Sequence, residues 1–228
     1  MMQARAIYFD AVGTLIHPVE PVAESYRRIA ATHGLLLDLP TVATRMKAAY
    51  ARQEQIDQAA GWRTDEAREL DRWQSIVRDT LPEAPHCFPD LWHYFSQPTA
   101  WSVDNDCGES LRSLARAGFV LGIASNFDER LAGILPHLPA LAPLAERCVI
   151  SSLVGWRKPG AGFFEIVARQ AQCEPGEVLF VGDDFRNDVE GSRAAGMQAV
   201  FFGSGSLSRI SDLLVMAAVS DHNASPRN

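Results

Sequence analysis

The stretch IYFDAVGTLI, from Ile7 to Ile16, decides the fold. It begins as a short apolar run, delivers one carboxylate at Asp10, and then turns through Gly13 and Thr14. A continuous apolar run of this kind is typical of a buried parallel strand, because helices cover both of its faces. We therefore predict that residues 6–10 form the first strand of a parallel sheet.

Four further apolar runs follow, and helical patterns of about a dozen residues lie between them. They are FVLGIAS (Phe119 to Ser125), RCVISS (Arg147 to Ser152), EVLFVG (Glu177 to Gly182) and QAVFFG (Gln198 to Gly203). Alternating strands and helices indicate βαβ units, in which helices cover both faces of one sheet. The predicted fold class is α/β, with a doubly wound, Rossmann-like parallel sheet as its core.

The segment between Pro18 and Pro98 has a different character. Stretches such as EPVAESYRRIAATHGL place apolar residues at helical spacing with charged residues between them. We predict that residues 18–98 form an all-helical insertion, that residues 1–17 and 99–220 form the core, and that residues 221–228 form a disordered tail. For four tryptophans in or beside the insertion, a place in its packed interior is favoured over a role in substrate binding: Trp62, Trp73, Trp92 and Trp101.

Composition limits the classes of partner. The formal net charge is -7 and only two residues are lysines, whereas binding to nucleic acids or anionic membranes requires basic patches. The four cysteines are irregularly spaced without a CxxC pair, which favours reduced thiols and a cytoplasmic location. No run approaches the roughly 18 apolar residues that a membrane span needs. We expect a small-molecule substrate, with no nucleic-acid or membrane partner, and the oligomeric state stays open.

Polar residues follow the predicted strands at their carboxyl ends, where open parallel sheets bind ligands. They are Asp10 and Thr14, then Ser125 and Asn126, then Lys158 in a later loop, and finally Asp183, Asp184 and Asp188. Taken singly, such residues can simply cap helices, and a lysine before a proline is usually on the surface. Three carboxylates within six residues repel one another unless a cation lies among them, which favours a metal site.

The joint order of these motifs resembles the haloacid dehalogenase-like (HAD) hydrolase superfamily. The order is FDxxGTL, then a strand followed by SN, then RKPGAGFFE, then FVGDDFRNDVEGSRAAGM, and it spans Asp10 to Met197. A helical insertion directly after the first motif resembles the superfamily's cap subclass one. The later motifs are most similar to the branch that contains haloacid dehalogenase-like hydrolase domain-containing protein 3.

The resemblance implies a hydrolase with a carboxylate nucleophile. In the phosphotransfer members of the superfamily the first aspartate attacks phosphorus, which gives that role to Asp10. It also implies a Mg²⁺ ion, because hard oxygen ligands suit a hard cation. The implied metal ligands are the carboxylates of Asp10, Asp183 and Asp188 and the main-chain carbonyl of Val12.

The same resemblance implies groups that hold the substrate. Lys158 would bind the transferring oxygens and orient Asp10, and Ser125 together with the amide of Asn126 would hydrogen-bond the phosphoryl group. Thr14 belongs to the same implied substrate-binding set. The implied catalytic residues are therefore Asp10, Lys158 and Ser125, and the implied substrate is a small phosphorylated metabolite.

One position departs from the family pattern. Family phosphatases carry an aspartate two residues after the nucleophile, as general acid and then general base, a role worth about 10²–10⁴ in rate. This chain has Val12 at that position, and valine cannot carry a proton. Its backbone carbonyl can still meet a metal ion, so metal binding can survive where acid catalysis is lost.

Three functions therefore remain open. The first is a Mg²⁺-dependent phosphohydrolase for good leaving groups, or one that borrows an acid from the insertion, such as Glu20 or Asp57. The second is a 2-haloacid dehalogenase, in which Asp10 attacks carbon; FDAVGTL resembles the FDAYGTL of that branch, although the later acid cluster argues against it. The third is a catalytically impaired protein that still binds phosphate and Mg²⁺.

A related enzyme type also lacks the second acid. Phosphonoacetaldehyde hydrolase uses a lysine of its cap as a Schiff base, and Lys47 is the only lysine in the insertion of this chain. Lys47 lies in an amphipathic helical stretch near Arg45 and Arg52, so we predict that it faces solvent.

Overall fold

The computed structural model describes residues 4–203 together with Leu207 and Asp212. Its strands are β1 (Ala6–Phe9), β2 (His17–Pro18), β3 (Trp101–Ser102), β4 (Val120–Ser125), β5 (Cys148–Ile150), β6 (Val178–Gly182) and β7 (Gln198–Phe201). Five of them form a parallel sheet in the order β5-β4-β1-β6-β7. All five apolar runs of the sequence are strands of this sheet, and the chain crosses from one side of β1 to the other between β5 and β6.

The helices divide into two groups along the chain. The first group lies between β2 and β3: α1 (Val22–Thr32), α2 (Leu39–Ala59), α3 (Glu66–Thr80) and α4 (Phe88–Ser96). The second group accompanies the sheet: α5 (Cys107–Arg116), α6 (Arg130–Ile134), α7 (Ser151–Val154), α8 (Ala161–Ala171), a π-helical turn at Phe185–Glu190, and α9 (Gly191–Ala194). The predicted α/β fold with a helical insertion is confirmed. The exact domain limits, at 17/18 and 98/99, stay a prediction.

Strand β1 lies at the centre of the sheet and is buried on both faces. Ile7 and Phe9 pack into the core on one side, and Ala6 and Tyr8 pack into the core on the other. The main-chain N–H of Asp10 continues the ladder by donating to the carbonyl of Val181 at 2.9 Å. Asp10 is therefore fixed at the carboxyl end of the central strand.

A short antiparallel ribbon closes the base of the insertion. Strand β2 pairs with β3, so the chain leaves the sheet and returns to it side by side. Just beyond the ribbon, the N–H of Val19 donates to the carbonyl of Ala100 at 2.9 Å. The insertion has its own apolar core, formed by side chains such as Tyr26, Val42 and Leu81.

Two expectations concern the C-terminal tail and membrane-spanning helices. The tail predicted to be disordered, residues 221–228, lies outside the described residues, as does most of the chain after Gly203. No helix among the described residues is long and apolar enough to cross a membrane.

We predict that Leu114→Ala destabilises the protein by about 2–5 kcal/mol, because Leu114 is fully buried where α5 packs on the sheet and the smaller side chain leaves a cavity. Leu36→Ala is the matched control, since the Leu36 side chain is 83% exposed, and it should change stability by less than about 0.5 kcal/mol. Urea denaturation of both variants measures the difference. Equal losses would contradict the core assignment of α5.

Candidate active site

The turn after β1 requires glycine at position 13. Gly13 has a φ of +91°, and a Cβ at this position would collide with the carboxylate of Asp183. Its N–H donates to the carbonyl of Ile16 at 2.9 Å, which closes the turn. The turn thus allows the loop after β6 to approach the end of β1, and it brings Asp10 and Asp183 together.

Lys158 is a buried residue, not the surface lysine that its position before a proline would ordinarily indicate. Its side chain is 2% exposed, and its ammonium donates to Asp10 Oδ1 at 2.7 Å and to Asp188 Oδ1 at 2.6 Å. Burial disfavours the charged ammonium, but the carboxylates of Asp10 and Asp188 outweigh it and raise the pKa of Lys158. The lysine is therefore charged in the folded protein at neutral pH.

The residues after β4 support this lysine. The side chain of Asn126 accepts a hydrogen bond from the main-chain N–H of Lys158 at 2.8 Å and donates to its carbonyl at 3.0 Å. Ser125 is buried and lines the same cavity as Asp10. Neither residue caps α6, which begins only at Arg130 without a side-chain cap. The SN pair thus lines the cavity beside Lys158.

Three carboxylates converge beside Lys158. Oxygen atoms of Asp10, Asp183 and Asp188 all lie within 4.8 Å of one another. Asp188 belongs to the π-helical turn and packs so closely on Gly182 that a Cβ there would collide with it. The hydroxyl of Thr14 donates to Asp183 Oδ1 at 3.3 Å. The structure thus places Thr14 on a carboxylate, whereas the resemblance implied that it binds substrate.

Asp184 has a different neighbourhood from the other acids. Its carboxylate accepts hydrogen bonds from the N–H groups of Arg186 and Asn187, and so it caps the π-helical turn. Its own N–H donates to Asp188 Oδ2 at 3.0 Å. Asp184 therefore shapes the turn that carries Asp188, and it stands outside the group of three.

The carboxylate cluster is suited to a divalent cation. Burial and the Asp10 charge raise the pKa of Asp188 to about 6, even though Lys158 opposes the shift. Burial and the Asp188 charge likewise raise the pKa of Asp183. The raised pKa values show that these carboxylates repel one another when charged, and a cation between them would remove this repulsion. Carboxylate oxygens are hard donors, so the set fits Mg²⁺. Asp10, Asp183 and Asp188 would hold such an ion, with the Val12 carbonyl as the further implied ligand.

A cavity of about 340 Å³ opens above this cluster, between the carboxyl end of the sheet and helices α1, α3 and α4. Val12 and Lys158 lie on its floor, and three tryptophans lie on its wall: Trp73, Trp92 and Trp101. These three tryptophans therefore line the cavity, and each also packs on a neighbouring ring: Trp73 on Tyr50, Trp92 on Phe88 and Trp101 on Phe95. The spacing of aromatic residues on a helix does not say which face turns toward a neighbouring domain.

Comparison with known proteins identifies the family. The model of haloacid dehalogenase-like hydrolases matches residues 4–196. The chain belongs to the haloacid dehalogenase-like hydrolase family. Haloacid dehalogenase-like hydrolase domain-containing protein 3 from Bos taurus is 30% identical over 207 residues, which cover 87% of this chain and 81% of that protein. The predicted superfamily and branch are both confirmed.

Other relatives of this HAD-like hydrolase carry different activities in their names. N-acetylmuramic acid 6-phosphate phosphatase from Pseudomonas aeruginosa is 26% identical over 205 residues, covering 89% of this chain and 84% of that protein. The structure of a defluorinating L-2-haloacid dehalogenase superposes with a TM-score of 0.72 at 18% identity, covering 92% of this chain and 95% of that chain. The family thus establishes a hydrolase, and the choice of reaction depends on the site.

A buried ion network beside the site had no signal in the sequence. Asp57 is fully buried and pairs with Arg68 at 2.7 Å and also with Arg72. Arg157, the residue before Lys158, pairs with Glu69 and lies 3.4 Å from Asp57. The network joins helices α2 and α3 of the insertion to the loop that carries the lysine.

The residues of the insertion that could replace the missing acid or act as a Schiff-base lysine do not face Asp10. Glu20 accepts hydrogen bonds from Arg28 and Ser25, and neither Glu20 nor Asp57 lines the cavity described here. Lys47 is exposed on α2 and lies off the cavity wall, so its predicted solvent-facing position is confirmed.

We predict that Asp183→Asn weakens Mg²⁺ binding by about tenfold or more, because it removes one of three converging anionic ligands. Asp184→Asn is the matched control one residue away. Asparagine caps a helix start as well as aspartate does, so this variant should retain Mg²⁺ affinity. Isothermal titration calorimetry measures both. Unchanged Mg²⁺ binding by Asp183→Asn would refute the assignment.

Proposed function

We propose that this HAD-like hydrolase is a Mg²⁺-dependent phosphohydrolase that acts on a small phosphorylated metabolite through an aspartyl-phosphate on Asp10. One observation carries the proposal, namely that a buried ammonium, Lys158, and three carboxylates converge at the end of β1. Attack by one anion on another requires positive charge at the site. A bound Mg²⁺ would neutralise charge on the phosphoryl oxygens.

The residues of the chain supply the rest of the first step. Lys158 holds one oxygen of Asp10, which fixes the orientation of the attacking carboxylate. A carboxylate oxygen forms the bond to phosphorus, and the bond from phosphorus to the leaving oxygen breaks with its electron pair remaining on that oxygen. In this proposal Ser125 and the amide of Asn126, which line the cavity, hydrogen-bond the phosphoryl group. Water then attacks phosphorus, releases phosphate and regenerates Asp10.

Val12 limits which leaving groups can depart. Its side chain lies on the cavity floor where family phosphatases place an acid, and neither Glu20 nor Asp57 replaces that acid. An alkoxide is a poor leaving group without a proton, whereas a phenolate or a carboxylate departs as a stable anion. The proposed enzyme therefore acts on phosphate esters or anhydrides of the latter kind.

A second candidate is a 2-haloacid dehalogenase, and the apolar floor at Val12 favours it. Asp10 would then attack carbon, and the halide would leave without a proton. That reaction has no need for Asp183 beside Asp10, and this is why the phosphohydrolase comes first.

We predict that the protein hydrolyses para-nitrophenyl phosphate and acetyl phosphate only with Mg²⁺, and that Asp10→Asn lowers the rate by at least about 10³-fold because the nucleophile is lost. Asp71→Asn, an exposed change of the same kind, should keep the wild-type rate. Phosphate release measures both variants. Halide release from chloropropionate without any phosphate release would replace the proposal with the dehalogenase, and silence on all these compounds would favour the impaired binding protein.

We predict that Val12→Asp raises turnover of an alkyl phosphate such as glycerol phosphate by about 10²-fold, because the new carboxyl group can protonate the alkoxide. Val12→Asn has the same shape without an acidic proton and serves as the control. Acetyl phosphate should gain little, since its leaving group needs no proton. If the Asn variant gained as much as the Asp variant on glycerol phosphate, the missing acid would not be the limiting group.

A further inference from the structure

The cavity wall opposite the carboxylates is aromatic. Trp73 on α3 and Trp92 on α4 line the cavity from the insertion, whereas Trp101 in β3 and Phe127 in the loop after β4 line it from the other side of the ribbon. Trp101 and Phe127 lie edge to face, with ring centroids 5.9 Å apart. Aromatic walls bind planar apolar groups well, because ring surfaces gain both burial and favourable ring geometry.

The positive charges on this wall are already paired with carboxylates. Arg130 lies 3.5 Å above the ring of Trp92, but its guanidinium forms two hydrogen bonds of 2.7 Å to Asp128. The cavity-lining Arg72 and Arg157 are paired with Asp57 and Glu69 in the same way. Each arginine among the described residues of the wall therefore already has a carboxylate partner, although the buried Nε of Arg157 donates no hydrogen bond. A second anionic group of a substrate would have to compete with these carboxylates for a guanidinium group.

The end of the cavity that contains Asp10 and Val12 also favours an aromatic substrate. Val12 supplies no proton to the leaving oxygen, so the leaving group must be stable as an anion. A phenolate meets this requirement, and its ring matches the apolar wall. An acyl phosphate meets only the first requirement, because a small acyl group leaves the aromatic wall without a partner.

We propose that the substrate is a phosphate monoester of a phenol, with a single phosphoryl group and a planar apolar ring seated against Trp73, Trp92 and Trp101. The inference rests on the proposed phosphohydrolase. The bond between phosphorus and the phenolic oxygen breaks, the electron pair stays on that oxygen, and the phenolate takes a proton from water. Water then hydrolyses the aspartyl-phosphate, so the products are a phenol and inorganic phosphate.

Two substrates separate the two requirements. Naphthyl phosphate has both a stable leaving anion and a planar ring, whereas acetyl phosphate has only the stable leaving anion. With Mg²⁺ present, kcat/KM for naphthyl phosphate should exceed that for acetyl phosphate by about tenfold or more. An equal or higher value for acetyl phosphate would overturn the aryl assignment and leave the phosphohydrolase in place.

A binding measurement keeps the test independent of turnover. Asp10→Asn removes the nucleophile, so calorimetric titration of this variant with naphthyl phosphate reports affinity alone. The inferred pocket predicts binding about tenfold or more tighter than that of inorganic phosphate. Equal affinity for the two ligands would overturn the inference, whether or not the wild-type protein hydrolyses either substrate.

Substitutions of the tryptophans test whether the cavity wall causes the preference for naphthyl phosphate over acetyl phosphate. Trp73→Ala should lower the ratio of kcat/KM for naphthyl phosphate to kcat/KM for acetyl phosphate by about tenfold, and Trp73→Phe should restore most of it. Leu70→Ala truncates an exposed side chain of the same helix and should leave the ratio unchanged. Trp92→Ala provides the same test from α4 if Trp73→Ala fails to fold. A ratio in the tryptophan variants equal to that of Leu70→Ala would overturn the inference.

Discussion

The site depends on the ammonium of Lys158, buried between the carboxylates of Asp10 and Asp188. Each of these charges would be costly to bury alone, and the pairing makes their burial possible. The contact also joins distant parts of the chain, since Asp10 ends β1, Asp188 follows β6, and Lys158 comes from the loop after α7. Asn126 adds the end of β4 by holding the main chain of Lys158. Lys158 thus connects the carboxyl ends of the three central strands, through its ammonium for β1 and β6 and through its main chain for β4.

Much of this arrangement could be predicted from the sequence, because it follows from strand order. Strands buried on both faces are continuous apolar runs, and the residues after them must meet at one edge of the sheet. The convergence of Asp10 and Asp188 follows from this rule, whereas Lys158 was assigned to the site only through the resemblance to the HAD superfamily. The ribbon of β2 and β3 was too short to produce a pattern. The pairs around Asp57 depend on how the insertion docks, which no local spacing of residues records.

The cavity wall shows what helical spacing leaves undecided about the tryptophans. A helix in a small domain packs one apolar face inward, and apolar spacing on α3 and α4 is compatible with that arrangement alone. The structure shows that Trp73 and Trp92 instead face the sheet across a cavity. Val12 lies at the floor of the same space, where its apolar side chain continues the wall. The absence of an acid and the presence of aromatic rings are thus two properties of one surface.

The ion network around Arg157 has a mechanical consequence. Arg157 immediately precedes Lys158, and its partners Glu69 and Asp57 belong to the insertion. Any displacement of the insertion from the sheet would have to separate these buried pairs, which hold the residue next to Lys158. The position of the insertion and the position of the Lys158 ammonium therefore depend on the same ion pairs. The insertion thus helps to position the ammonium that orients Asp10, in addition to forming part of the cavity wall.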